Sequence, residues 1–182
     1  MRGSTILIAT ITSFLFFTSC SKIDDSTELN IVISPQSAAY TIPIITSLDT
    51  VNIATIPLRL NLDSMIKLQN KRFSAADIKT IKLNSFRLNL TDPDTAYTFA
   101  NFQNLGLTIN NNGKSSGLLA SLNVTDSKIK VLTIPVTGTD NDLRTFINGG
   151  SANFVIKGKL RRATVKSYAI TTATTFRVTL GL

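Results

Sequence analysis

Ile81-Lys82-Leu83-Asn84-Ser85-Phe86-Arg87-Leu88-Asn89-Leu90 is the stretch that decides the fold. Ile81 and Leu83 flank Lys82, and Phe86, Leu88 and Leu90 alternate with Arg87 and Asn89. A period of two sends successive side chains to opposite faces, so the segment reads as a strand with one buried and one wet face. Between Leu83 and Phe86 the rhythm slips by one residue, as it does where a β-bulge inserts an extra residue.

The same period recurs on both sides. Leu58, Leu60 and Leu62 alternate with Arg59, Asn61 and Asp63, and the rhythm returns at Leu105, Leu107 and Ile109, at Phe154, Ile156 and Leu160, and at Phe176, Val178 and Leu180. Strands are expected over 29–34, 40–46, 51–62, 78–90, 104–110, 117–124, 128–136, 152–162 and 166–180, the last breaking near Thr171-Thr172-Ala173-Thr174. Asn112-Gly113 is a tight-hairpin signal, because both residues tolerate positive φ. Asp92-Pro93-Asp94 reads as a turn. Short helices are expected over 64–70, capped by Asp63, and over 139–148, with Asp140 and Asp142 near the positive helix start and Gly149-Gly150 at the end. Phe99 and Phe102, three apart, suggest a single helical turn. The expected fold is all-β: an antiparallel β-sandwich with one or two short helices, similar in architecture to immunoglobulin-like sandwiches. The Cys-Trp-Cys pattern of antibody domains is absent, and strand order stays open.

Cys20 is the only cysteine. It follows Ser19 at the end of an apolar leader that carries one charge, Arg2, before Lys22. The apolar stretch is shorter than the roughly 20 residues a membrane-spanning helix needs. Charged start, apolar middle and small-residue end fit a secretory signal. Phe17-Thr18-Ser19-Cys20 resembles the lipobox of bacterial lipoproteins, with Phe17 in place of the usual leucine. Cys20-Ser21-Lys22-Ile23-Asp24-Asp25 resembles the export signal of Bacteroidota-type surface lipoproteins, with Ile23 interrupting the basic-acidic order. The resemblance implies a signal peptide at 1–19, an acylated Cys20, a tether over 20–28 and one domain over 29–182. It implies an outer-membrane location, anchored by lipid and displayed on the cell surface or, failing export, facing the periplasm. An ordinary signal peptide and a merely polar tether are the alternative readings.

Absences bound the chemistry. The chain has no histidine, which removes Ser-His-Asp and Cys-His arrangements. An acylated Cys20 leaves no thiol for a Cys/His zinc site. No glycine-rich phosphate loop occurs. The paired acids Asp92/Asp94 and Asp140/Asp142 could in principle act as catalytic carboxylates, and Thr139-Asp140-Asn141-Asp142 offers oxygens to calcium. Turn formation and helix capping explain these acids better. No enzyme activity and no cofactor are expected.

Charge is unevenly placed. Cys20 to Asp142 carries 11 basic and 11 acidic residues, whereas no acid follows Asp142 and seven cations do. If Phe154, Ile156 and Leu160 face the core, Lys157, Lys159 and Arg161 point outward, and Arg162 and Lys166 could join them. Such a row can hold an anionic glycan, a lipid phosphate or an acidic protein. Without interleaved aromatic residues, nucleic acid is not expected. Solvation, or protection of a strand edge, is the plainer reading. Four Asp-Ser/Thr sites, with hydroxyls at Ser26, Thr50, Ser64 and Thr95, resemble the O-glycosylation motif of Bacteroidota-type secreted proteins, although turns and caps favour the same residues. The expected function is adhesin-like or glycan-contacting binding, or scaffolding. An accessory role in an envelope protein complex and carriage of an apolar ligand are the alternatives.

Overall fold

A computed structural model describes residues 28–35, 37–91, 98–138, 140–147 and 152–181. The leader, Cys20, Ser26, Thr95 and the Asp92-Pro93-Asp94 turn lie outside the described residues. Among the described residues the strands are β1 (Leu29–Ile33), β2 (Ala39–Ile42), β3 (Val51–Pro57), β4 (Ile78–Leu90), β5 (Phe102–Asn111), β6 (Lys114–Ser115), β7 (Ala120–Asn123), β8 (Val131–Ile134), β9 (Asn153–Leu160) and β10 (Tyr168–Leu180). The helices α1 (Leu62–Gln69) and α2 (Arg144–Ile147) are both short.

The strands form two five-stranded sheets, and every pair is antiparallel. Sheet A runs β1-β10-β4-β8, with β2 also on β10; sheet B runs β3-β9-β5-β6, with β7 also on β5. The expected antiparallel sandwich with short helices is what the chain forms. Its strand order follows from folding one long hairpin. β5 pairs β7, β4 pairs β8, β3 pairs β9, and β1 and β2 both pair β10, each pairing nested inside the next. Rolling that hairpin adds the cross pairs β4·β10 and β5·β9. This is the jelly-roll order, two sheets closed by Greek-key connections.

Along β4 the sequence slip is a bulge. Thr175 lies opposite Ser85 and Phe176 opposite Leu83, leaving Asn84 as the extra residue. Both displaced side chains hold Thr175: Asn84 Nδ2 donates to Thr175 Oγ1 at 2.9 Å, and the Ser85 and Thr175 hydroxyls are 2.7 Å apart. The expected hairpin is present too. Asn112 and Gly113 take φ of 48° and 78°, and Asn111 pairs with Lys114 across them.

Four expectations about the elements are corrected. β3 ends at Pro57, not residue 62, with one further bond beyond the strand, from the Leu58 amide to the Ala152 carbonyl at 2.9 Å. The Leu58-Leu60-Leu62 alternation then runs into α1, whose cap is Asn61, not Asp63: Asn61 Oδ1 accepts from the Ser64 amide at 3.1 Å. β10 does not break near Thr171–Thr174; its edge partner does. β1 covers Phe176–Leu180 and β2 covers Tyr168–Thr171, so the chain leaves the edge between Ser34 and Ala38. Of the segment expected as a helix over 139–148, the described residues 140–147 are helical at Arg144–Ile147 alone.

The core lies between the sheets. Phe86 of sheet A packs on Phe154 of sheet B at 5.0 Å between ring centroids, and Phe154 stacks on Phe176 at 6.3 Å. Phe102 joins Phe99, in the expected helical turn, to Tyr168. These rings occupy the space between the sheets in which an apolar ligand would have to lie.

Candidate functional site

β9 is the middle strand of sheet B, between β3 and β5. Phe154, Ile156, Gly158 and Leu160 are buried, so Lys157 and Lys159 stand exposed on the outer face. Gly158 between them is required by close approach: a Cβ there would lie 2.2 Å from the Asn104 carbonyl oxygen and 2.9 Å from Ile53 Cδ1. The register shift between Phe102 and Asn104 lets Asn104 Oδ1 accept from the Lys159 amide at 3.1 Å.

Lys157 sits opposite Asn52 on β3 and Gly106 on β5, and Gly106 sits opposite Ser121 on β7. Gly106 lays no side chain on this face. A depression of about 400 Å³ results, lined among others by Thr50, Asn104, Leu118, Ser121 and Lys157. It offers a cation, two hydroxyls, the amides of Asn104 and Asn123, and an apolar wall, Leu118, which is 53% exposed. Among the described residues, neither the Lys157 nor the Lys159 ammonium has a hydrogen-bond or ion-pair partner.

The other three residues of the expected basic row are placed differently. β9 ends at Leu160, and the Arg161 and Arg162 amides both point to the Asn101 carbonyl, so strand parity no longer directs these side chains. Arg161 Nη1 donates to the Ala100 and Phe102 carbonyls at 2.6 and 3.0 Å, and Nη2 to the Val124 carbonyl at 2.9 Å. It therefore serves as a clamp inside the fold. Arg162 makes a two-pronged pair with Asp126, at 3.0 and 2.5 Å, and this guanidinium holds the Asp126 carboxyl below its ordinary value. Lys166 is exposed before β10 and already interacts with another group. Thr50 and Ser64, of the O-glycosylation motifs, are both exposed.

Asp142 is a structural carboxylate. Its Oδ1 accepts from the Ile81 and Arg144 amides, each at 3.1 Å, and its Oδ2 from Arg144 Nε at 2.6 Å. Burial pushes its proton affinity up, but these hydrogen bonds outweigh burial and hold it below the ordinary carboxyl value. Asp140, by contrast, has a side chain 99% exposed and lies 3.8 Å from Lys82. No three residues of His, Cys, Asp or Glu converge among the described residues. None of the described helices is long and apolar enough to cross a membrane.

The distribution of acids was not drawn from the sequence. Every described acid lies off the strands, whereas the strands carry Lys79, Lys82, Arg87, Lys114, Lys157, Lys159 and Arg177. Both broad faces are therefore cationic, although sequence-level charge counting places the excess only in the last 40 residues.

No protein-family model matches this chain, and no curated protein does. Among solved structures, a chain of the "Acidic stable capsid structure of Helicobacter pylori bacteriophage KHP30" aligns over 85% of this chain and 98% of its own, at 9% identity and a TM-score of 0.30. That likeness is too slight to bear on fold or function.

Proposed function

We propose that this chain is a lipid-anchored, non-enzymatic binding module of the outer membrane, displayed on the cell surface, that contacts an anionic glycan through the outer face of sheet B. One observation carries the glycan reading: Lys157, without a partner among the described residues, lines a depression rich in hydroxyl and amide groups, and the equally unpartnered Lys159 follows it on the same face of β9. Unpaired ammonium groups attract carboxylate or sulfate, while neutral hydrogen-bonding groups suit sugar hydroxyls. Arg161 is engaged inside the fold and Arg162 with Asp126, so neither serves as a contact. Anchoring rests on Cys20 and the residues around it, with a tether that reaches at most about 28 Å.

Two experiments test the reading. Replacing Lys157 and Lys159 by Ser in the detergent-solubilised protein should weaken binding to an immobilised acidic polysaccharide about tenfold at low salt. Raising the salt should erase that difference. An unchanged affinity refutes the sheet B site. Protease shaving of intact cells, with a periplasmic protein as integrity control, should remove the domain. Protection until the outer membrane is opened would redirect the search to a partner in an envelope complex.

A further inference from the structure

The outer face of sheet A holds a feature that lies outside the expected basic row. Between β1 and β2 the edge strand is interrupted, so Ala173, Thr174 and Thr175 of β10 have no strand partner on that side. The gap is a cleft of about 320 Å³, within the size range of small-molecule sites. Its lining includes Ser34, Ser37, Ser85, Arg87, Thr133 and Thr175. The β4 bulge borders it: Ser85, next to the extra Asn84, lies opposite Thr175, and bulges recur beside functional sites.

Arg87 is the charged group of this cleft. It lies opposite Ala173 on β10 and Thr133 on β8, two small neighbours that leave its guanidinium uncovered. It is exposed, and among the described residues nothing accepts its hydrogen bonds. The strands of sheet A hold no acid that could neutralise it. A planar guanidinium presents paired donors that match a carboxylate or sulfate.

We infer that this notch is a second binding site, for an acidic sugar residue: the Arg87 guanidinium grips its carboxylate or sulfate, and the surrounding Ser and Thr hydroxyls bond its ring hydroxyls. The cleft has no aromatic wall on which a base could stack, which favours a saccharide over a nucleic acid. The two sites lie on opposite outer faces of the sandwich, so one molecule could bridge two acidic chains.

Because the sites are independent, variants separate them. Detergent-solubilised full-length protein would be titrated with polygalacturonate and with chondroitin sulfate, taking dextran as the neutral control. In the Lys157→Ser/Lys159→Ser background, residual binding to at least one acidic probe should persist. Adding Arg87→Gln should weaken it about tenfold, and Arg87→Lys should restore part of it. Thermal melts should hardly move, since Arg87 makes no hydrogen bond or ion pair among the described residues. Loss of all binding in the double-lysine background, or no effect of Arg87→Gln within it, overturns the notch site while leaving sheet B standing. A single-stranded DNA oligomer that binds the notch as tightly as the acidic saccharides overturns the saccharide assignment. If only Arg87→Gln matters in the unaltered protein, the sheet B reading fails and the notch remains.

Discussion

Arg161 shows how a single side chain changes role when its strand ends. Parity along β9 puts it beside Lys157 and Lys159, and the sequence offers no sign that it turns away. The signal lies in three carbonyls, Ala100, Phe102 and Val124, distant in sequence and gathered only by the fold. Removing the guanidinium leaves those oxygens without their donor. Arg161→Ala should therefore cost about 2–3 kcal/mol, the scale of hydrogen bonds to a charged group. For a domain of this size that is a fall in Tm of roughly 4–12 °C, readable by calorimetry. Arg161→Lys should recover little, because one ammonium cannot span three acceptors in fork geometry. A lysine variant as stable as the parent would show that charge, and not the fork, is what matters. Arg162, exposed and paired across the surface with Asp126, is expected to be almost silent in the same assay.

At the scale of elements, β4 was legible and its surroundings were less so. The alternation broken at Asn84-Ser85 gave both its span and its bulge, because in-or-out placement is written in period two. Deleting Asn84 leaves Ile81, Leu83, Phe86, Leu88 and Leu90 in unbroken alternation, so that variant should fold, with Tm within several degrees of the parent. Deleting Arg87 instead forces either Phe86 and its predecessors or Leu88 and Leu90 onto the wet face. Exposing two leucines alone costs about 3–6 kcal/mol, and near-UV circular dichroism should report the loss of packing. If both deletions behave alike, the extra residue is not what keeps the register. Asp142 ties the short helix α2 to the same strand, and its depressed proton affinity fixes a pH window. A carboxyl held lower in the folded chain than in the unfolded one adds stability that is fully present above the unfolded value near 3.8 and fades as the pH falls through the folded value. Melts between pH 5 and pH 2 should thus show a shallower acid loss for Asp142→Asn than for the parent. An identical slope would mean that other carboxyls carry the acid sensitivity.

For the whole molecule, alternation says which side chains face inward but not which strand lies beside which, and so the jelly-roll order was invisible in the sequence. Leu29 and Leu180 are each unremarkable apolar residues near the ends of the domain, yet they pair directly. The notch on sheet A was hidden for the same reason: its walls come from Ser34, Ser37, Ser85, Arg87, Thr133 and Thr175, which only the roll brings together. The nested pairing also orders the folding. Of the nested pairs, β5 with β7 closes the shortest loop and β1 with β10 the longest, and closure entropy grows with loop length. Sheets dominated by distant pairings fold in milliseconds to seconds. The inner hairpin should be formed in the transition state and the outer edge added afterwards. Leu107→Ala and Ile31→Ala both remove buried side chains, from β5 and β1, and each should destabilise by about 2–5 kcal/mol. Their kinetics should differ. Leu107→Ala should mainly slow refolding, whereas Ile31→Ala should mainly speed unfolding, as a stopped-flow chevron can resolve. Should Ile31→Ala slow refolding as much as Leu107→Ala, the edge strand docks early. The hairpin then does not close from its turn outward, and the terminal strands β1 and β10 organise the sandwich from the start.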